Sequence, residues 1–247
     1  RASQFGTKSN QYGTWQWKRP LPHSWSIKYR NLNFLIRPTS SKHVGIFPEQ
    51  AINWDWCSEK INSAIGSGRS IRLLNLFGYT GAATIAAVAA GASVCHVDSS
   101  KPMVAWCAEN ARLSGFLSEE KKAPIRFIVD DCNKFLTREL RRKQQYDAII
   151  LDPPTFGRGD SGELWRLEDQ LLHLLKQCSL LLSEQPLFLL MSGYSATLSA
   201  ATLHSLFSEV FGNHPKSQIM AIPLGLQGTL DKKIIPCGIS ARVIFGQ

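Results

Sequence analysis

Two hydrophobic rhythms divide the chain. Up to residue 47, apolar and polar residues alternate at strand period in Thr14-Trp-Gln-Trp-Lys18, in Ser24-Trp-Ser-Ile-Lys-Tyr29 and in Leu32-Asn-Phe-Leu-Ile-Arg37. Pro20, Pro22 and Pro38 mark turns or edges around these runs. The pattern predicts a small antiparallel β appendage over residues 1–47, with a loose polar stretch at Gly6–Asn10. From residue 48 onward, short continuous apolar runs alternate with segments of helical spacing. Pro48 opens a helix to about Ile65, with Ala51, Ile52, Cys57, Ile61 and Ala64 on its apolar face. Strands are predicted at 73–77, 91–98, 125–131, 146–152, 187–191, 217–222 and 240–245. Helices are predicted at 82–90, from Ser100 and Pro102 to Leu113, after Asp131, at 164–182 and at 195–211. The run Tyr146-Asp-Ala-Ile-Ile-Leu is of the kind a parallel sheet buries on both faces. The alternation predicts an α/β fold over 48–247, a doubly wound, mostly parallel, seven-stranded sheet.

One stretch organises the rest. Arg72-Leu-Leu-Asn-Leu-Phe-Gly-Tyr-Thr-Gly-Ala-Ala-Thr84 runs from strand through a glycine turn into an alanine-rich helix. Gly78 and Gly81 are expected to let the backbone approach a ligand, and the helix start offers unpaired N–H groups to an anionic or polar group. Ligands of such sheets bind at the carboxyl ends of the strands. Three of those ends are acidic: Asp98, Asp130-Asp131 and Asp152. A lone Asp there is usually a helix cap; three beside one glycine turn point to a shared ligand. Asp98 lies 17 residues after Gly81, a spacing that suits a ribose-binding acid. Asp131 is placed to meet an adenine amino group. An adenosine-containing cofactor follows. The turn lacks both G-x-G-x-x-G and Gly-Lys-Ser/Thr, so it reads as neither a dinucleotide nor a Walker A turn.

Leu74-Asn-Leu-Phe-Gly-Tyr-Thr-Gly81 and Tyr146-Asp-Ala-Ile-Ile-Leu-Asp-Pro-Pro-Thr-Phe156 resemble the first and fourth motifs of class I S-adenosylmethionine-dependent methyltransferases, and more narrowly of the ribosomal RNA large-subunit methyltransferase group. Val44-Gly-Ile-Phe-Pro-Glu-Gln50 resembles the group's preceding motif, which helps close over the cofactor. The resemblance implies a Rossmann-like sheet of order 3-2-1-4-5-7-6 with the last strand antiparallel. It implies S-adenosylmethionine as cofactor, held by Phe77, Gly78, Tyr79, Thr80, Gly81, Asp98, Ser99, Asp131, Cys132 and Asp152. Asp152, Pro153, Pro154 and Phe156 match the catalytic loop, with Phe156 stacking on the acceptor base and Asp152 and the Pro153 carbonyl orienting it. Asn75 stands where many relatives carry an acid. Relatives that make 5-methylcytosine need a cysteine after the fifth strand, and Met191-Ser-Gly-Tyr-Ser195 has none. A base nitrogen is therefore the expected acceptor, since it needs no thiolate activation. The group's N-terminal PUA domain is not visible in this sequence.

Charge adds a partner. The 247 residues carry a net charge of +9, which suits a polyanion such as ribosomal RNA. Arg158, Arg166 and Tyr194 are the expected RNA contacts, with the Arg138–Lys143 cluster in support. Trp15, Trp17 and Trp25, interleaved with Lys18, Arg19, Lys28 and Arg30, read either as an RNA platform or as a strand face packed on the main domain. His173 and His204 read as structural members of apolar helices. Six cysteines without C-x-x-C spacing read as small buried hydrophobes in a reducing compartment, and no metal site is expected. No run is long and apolar enough to span a membrane. The expected location is cytoplasmic; an organellar matrix is the alternative, because the sequence starts at Arg1 and a leader would lie outside it. Two further functions stay open: a small-molecule or protein methyltransferase, and a ribosome-associated factor of the same fold without activity.

Overall fold

A computed structural model describes residues 15, 17–40, 42–120, 122–158, 164–214 and 216–246, the Arg158 side chain excepted. In chain order the elements are β1 (Trp25–Tyr29), β2 (Leu32–Ile36), a 3-10 turn (Pro48–Gln50), α1 (Ala51–Gly66), β3 (Arg72–Leu76), α2 (Ala82–Ala89), β4 (Ser93–Asp98), α3 (Lys101–Leu113), β5 (Ile125–Val129), α4 (Cys132–Arg141), β6 (Ala148–Leu151), β7 (Phe156–Arg158), β8 (Leu164–Arg166), α5 (Leu167–Leu180), β9 (Phe188–Gly193), α6 (Ala200–Phe211), β10 (Gln218–Gln227) and β11 (Ile234–Ile244).

The main sheet runs β10-β11-β9-β6-β3-β4-β5. Counted within the sheet this is 3-2-1-4-5-7-6, and β11 alone is antiparallel to both of its neighbours. The chain leaves β3 towards β4 and β5, then crosses back to β6 on the other side. The carboxyl ends of β3 and β6 therefore meet at the point where the winding reverses, and ligands of such sheets bind there. One sheet face carries α1 and α2 over Leu73, Val94, Ile150 and Phe188. The other carries α4, α5 and α6 over Leu74, Val97, Ile149 and Val243. Coverage of both faces is why β3 and β6 read as unbroken apolar runs.

The N-terminal strands form one hairpin, β1 with β2. Leu32, Phe34 and Ile36 bury their side chains, and Leu32 and Phe34 cluster with Trp54, Ile85 and Ala111 of the main body. The open edge of β2 is covered by side chains of α3 and of the residue that caps its end: Leu35 N donates to Asn110 Oδ1 (2.8 Å) and Asn33 N to Ser114 Oγ (3.0 Å). Of the first predicted run, Thr14 and Gln16 lie outside the described residues. Trp15 and Trp17 are not in a strand; their rings stack at 5.6 Å, and Trp15 donates from Nε1 to Thr39 O.

Other expectations change for identifiable reasons. Ile52 faces water, and Asn53 and Trp54 take the buried positions of α1, because a polar network described below recruits Asn53. Leu164–Arg166 pairs with Phe156–Arg158 as a small antiparallel ribbon, so α5 begins at Leu167. α6 begins at Ala200, where the Ser199 side chain caps the Thr202 N–H. Ser100 holds the cap position of α3 without a side-chain cap bond. His173 and His204 are exposed on the outer faces of their helices rather than built into the core. Tyr146 lies before β6 and makes an isolated bridge to Leu182.

Because β2 buries Phe34 among residues of α1, α2 and α3, Phe34→Ala should cost about 3–5 kcal/mol. Urea denaturation followed by tryptophan fluorescence should show one transition at lower denaturant. A separate hairpin transition with an unmoved main one would make residues 1–47 an independent appendage.

Candidate functional site

The turn after β3 is left-handed at three residues: Phe77 (φ +56°), Tyr79 (+51°) and Gly81 (+83°). Two are not glycine, and such conformations persist where surrounding contacts enforce them. Phe77 N donates to Cys132 Sγ at 3.3 Å, and Tyr79 N donates to Asp98 Oδ2 at 2.8 Å. The glycines line the pocket, and they also serve packing. A Cβ on Gly78 would lie 2.4 Å from the His96 ring, and one on Gly81 would lie 2.1 Å from Cys107 Sγ. Their missing side chains admit β4 and α3, and this close packing shapes the turn.

A buried polar chain supports the turn from beneath. Asn75 Nδ2 donates to Thr84 Oγ1 (2.8 Å), and Thr84 Oγ1 shares a hydrogen with His96 Nδ1 (3.0 Å). Burial pushes His96 down to about 4, so the ring is neutral at pH 7. His96 is not among the residues expected from sequence; its one signal was a histidine inside the apolar run of β4. Asn75 lies at the end of this chain and lines the pocket above the turn. Thr80 is buried, and its hydroxyl donates to Gly45 O at 2.5 Å.

The three strand-end acids meet different fates. Asp98 accepts from Tyr79 N at one oxygen and from Ser100 N at the other, both at 2.8 Å. Burial raises its carboxyl, and these two N–H groups pull it partly back. Ser99 is exposed beside it. Asp131 caps α4, accepting from Lys134 N at 2.9 Å, and Cys132 is buried behind it. Asp152 stands at the end of β6, next to the glycine turn. Its surroundings are dense enough that lost hydration, followed by the charge of Glu49, raises it to about 7.

The 44–50 segment closes the site from above. A Cβ on Gly45 would lie 2.2 Å from the Trp106 ring, so the segment lies flat on α3. Phe47 sits between Tyr79 (ring centres 5.5 Å apart) and Tyr194 (6.3 Å). Gln50 Nε2 donates to the Tyr194 hydroxyl at 2.6 Å. Ile46, Phe47, Gln50, Phe77, Ala83 and Asp152 line the resulting pocket. A larger cavity, about 620 Å³, lies between the β1–β2 turn and α1. It contains none of the strand-end acids, so its size does not locate the chemistry.

Past Asp152, Pro153 is buried, Pro154 is exposed, and Phe156 is 59% exposed. The loop is pinned by Trp165 Nε1 donating to Pro154 O (2.6 Å) and by Leu167 N donating to Thr155 O (3.1 Å). Arg166 is exposed, with its Nε 3.9 Å from Asp169. The Arg158 side chain lies outside the described part of the structure. The basic cluster on α4 is partly neutralised from within: Arg138 pairs with Asp130, and Arg142 pairs with the buried Glu139 at 3.2 Å. Among the described residues no group of three or more His, Cys, Asp or Glu side chains is placed to hold a metal ion, and no helix is long and apolar enough to cross a membrane.

This arrangement has relatives. Residues 4–188 match the family described as S-adenosylmethionine-dependent methyltransferase. A solved S-adenosylmethionine-dependent methyltransferase from Agrobacterium tumefaciens superposes with a TM-score of 0.87 at 37% identity, over 96% of this chain and 75% of that one. A methyltransferase from Streptococcus mutans shares the fold with a TM-score of 0.72 at 21% identity, over 93% of this chain and 57% of its own. The ribosomal RNA large subunit methyltransferase K/L of Magnetococcus marinus is 35% identical over 136 residues, which is 55% of this chain and 17% of that protein. The Aeromonas hydrophila protein of the same name is 43% identical over 86 residues, 34% of this chain and 11% of its own length. The chain thus spans under a fifth of these two curated relatives.

The Asp152 environment predicts a pH signature. The folded carboxyl ionises near 7, and the unfolded one near its ordinary value of about 4. From pH 4 to 7 the unfolded chain therefore binds fewer protons, and stability falls as pH rises, levelling above 7. Asp152→Asn should remove that loss, gaining about 2–4 kcal/mol at pH 8 and almost nothing at pH 4. Denaturation midpoints across this range read it directly, and equal gains at both pH values would show the carboxyl to be unperturbed.

Proposed function

The chain belongs to the S-adenosylmethionine-dependent methyltransferase family, and from that membership we propose that it methylates a base nitrogen in ribosomal RNA without a cysteine nucleophile. The observation that carries this reading is the loop after β6. An acid that ionises near neutrality, a rigid Pro153-Pro154 pair and an exposed aromatic ring at Phe156 stand together at the winding reversal of the sheet. The names of the curated relatives support RNA as substrate, and so does the net charge of +9.

The residues present suit the cofactor. The first N–H groups of α2 have no partner within the helix and face an anionic group well. Both Asp98 oxygens already accept one N–H each and retain lone pairs for two ribose hydroxyls. Ser99 and Asp131 flank the adenine end, and Phe77, Gly78, Tyr79, Thr80, Gly81 and Cys132 form the wall of the turn. Cys132 and Thr80 act there through structure, since the Cys132 sulfur and the Thr80 hydroxyl are engaged with Phe77 N and Gly45 O. S-adenosylmethionine, when bound, supplies an electrophilic methyl group.

The chain supplies alignment and a proton acceptor. Phe156 stacks on the base and holds its plane. The Pro153 carbonyl carries neither of the bonds that pin the loop, and where the target is an exocyclic amine it accepts one of the two amino hydrogens. Asp152 accepts the other hydrogen, so the nitrogen lone pair points away from the loop. Once the new N–C bond forms, the nitrogen must lose a proton, and a carboxylate near neutrality is matched to take it. A pyrimidine carbon would need a thiolate here. Five of the six cysteines are buried, and Cys237 Sγ donates to Ile235 O at 3.4 Å. RNA contact is assigned to Arg166, exposed beside this loop, and to Tyr194 and Arg158.

Transfer of tritiated methyl groups to total RNA from a strain lacking the gene should label RNA, and nucleoside mass spectrometry should find the mark on a base nitrogen. Labelled 5-methylcytosine would overturn the thiol-free mechanism, and turnover of small molecules or proteins alone would overturn RNA. In calorimetry, Asp98→Ala should weaken S-adenosylmethionine binding tenfold or more, roughly one to two lost hydrogen bonds. Phe156→Ala should bind the cofactor normally and raise the KM for RNA about tenfold, the worth of one stacked base. The reverse pattern would exchange the assigned roles.

A further inference from the structure

A line of buried polar side chains crosses the molecule from β11 to the candidate site. Arg242 Nη2 donates to Asn53 Oδ1 at 2.6 Å, and Ser240 Oγ donates to the same oxygen at 3.0 Å. Asn53 Nδ2 donates to Gln50 Oε1 at 2.8 Å, and Ser192 Oγ also donates to that oxygen at 3.2 Å. Gln50 Nε2 then donates to the Tyr194 hydroxyl at 2.6 Å. Gln50, Asn53, Ser192, Ser240 and Arg242 are all at least nine-tenths buried.

The direction of every link follows from its first member. A guanidinium has donors only, so the Asn53 atom facing Arg242 must be the carbonyl oxygen. The Asn53 amide nitrogen must then face Gln50, and the atom receiving it must be the Gln50 oxygen. That leaves the Gln50 nitrogen for Tyr194, whose oxygen is forced to accept. The Tyr194 proton cannot return along this path and is left for the other side, where Glu49 is within hydrogen-bond reach and the Asp152 charge is close by. The serine hydroxyls adapt to this order: Ser192 Oγ accepts from Asn53 Nδ2 at 3.3 Å while donating to Gln50 Oε1, so the arginine alone sets the direction. Reversing any link would set two donors or two acceptors against each other in a buried place, at a cost of about 1–3 kcal/mol.

Arg242 is well suited to start such a chain. Its guanidinium lies over the Trp56 ring at 4.5 Å and has no carboxylate in bonding range among the described residues. A buried cation without a counter-ion is costly, and core filling alone would favour an apolar side chain there. A fixed donor at that point has a use.

Resting on the methyltransferase reading above, we propose that Arg242, Asn53 and Gln50 are positioning residues that orient the Tyr194 hydroxyl so that it donates its proton to Glu49, the carboxylate beside Asp152. A hydrogen bond given to a carboxylate favours its ionised form. Held on Glu49, the Tyr194 proton draws that carboxylate's charge away from Asp152, limits the repulsion that raises Asp152, and keeps it available as proton acceptor. In agreement, burial and then the negative charge of Asp152 hold the Tyr194 phenol protonated.

Gln50→Glu tests the direction without changing shape. It keeps the bond from Asn53 but turns an oxygen towards Tyr194, which draws the phenolic proton back. In methyl transfer to RNA, Gln50→Glu should lower kcat about tenfold, as Tyr194→Phe does, with KM for RNA within about twofold. The double variant should be no slower than Tyr194→Phe alone. Arg242→Met should lower kcat about threefold in the natural background and not at all beside Tyr194→Phe, and Arg242→Lys, still only a donor, should restore most of it. Fully additive losses would overturn the relay. A second readout needs no turnover. The chain has 5 tyrosines, so a sample labelled at tyrosine Cζ gives a simple carbon NMR spectrum. The Tyr194 line, identified by its loss in Tyr194→Phe, should move in Gln50→Glu and in Arg242→Met. A Tyr194 line that stays in place overturns the relay, whereas a wild-type protein that methylates no RNA overturns only the functional reading.

Discussion

The site depends on two places where a Cβ atom has no room. Gly78 lies against His96, and Gly81 lies against Cys107. These contacts draw β4 and α3 under the turn that follows β3. Phe77 and Tyr79 within that turn take left-handed conformations, held by their N–H bonds to Cys132 and Asp98. The Tyr79 N–H is thereby aimed at Asp98, and the start of α2 is aimed into the pocket. A larger residue at either glycine would move the whole carboxyl edge of the sheet, because the neighbours it meets are a buried ring and a buried sulfur.

Three aspartates of one type then acquire three properties from where the strands end. Asp98 ends β4 between two backbone donors, so it is held in one orientation with lone pairs to spare. Asp131 sits two residues beyond β5 and spends an oxygen on capping α4. Asp152 follows β6 at the winding reversal, where it loses hydration and Glu49 stands close by. It is the acid whose charge is disfavoured, and so the one suited to exchange a proton near pH 7.

Opposite charge balance separates the basic residues in the same way. Arg138 and Arg142 belong to ion pairs with Asp130 and Glu139, and Arg30 pairs with Asp55. Arg166 is exposed beside the loop that carries Phe156 and is held only loosely, at 3.9 Å from Asp169. A polyanion would meet the rim of the pocket there. The buried Arg242 contributes nothing to that rim; its charge is directed inward, into the chain of amides that ends at Tyr194.

Periodicity in the sequence determined the seven strands, their parallel class and the helices between them, because burial on both sheet faces demands unbroken apolar runs. Local chemistry also marked the turn at Gly78–Gly81 and the acids at 98, 131 and 152, since strand ends can be read from where those runs stop. The resemblance added the sheet order and the cofactor. Tertiary structure alone decided the rest. Ile52 and Asn53 are neighbours in one helix, and helical spacing favoured the isoleucine for the core; a hydrogen-bond network with Ser192, Ser240 and Arg242, residues far away in the chain, reversed that choice. Leu164–Arg166 continued a helical pattern, yet it became a strand because Phe156–Arg158 was there to pair with it. Glu49 and His96 joined the site only through folding: one through its charge beside Asp152, the other through the space that Gly78 leaves open. Each of these outcomes depends on a partner distant in the chain, and no local pattern encodes a partner's position.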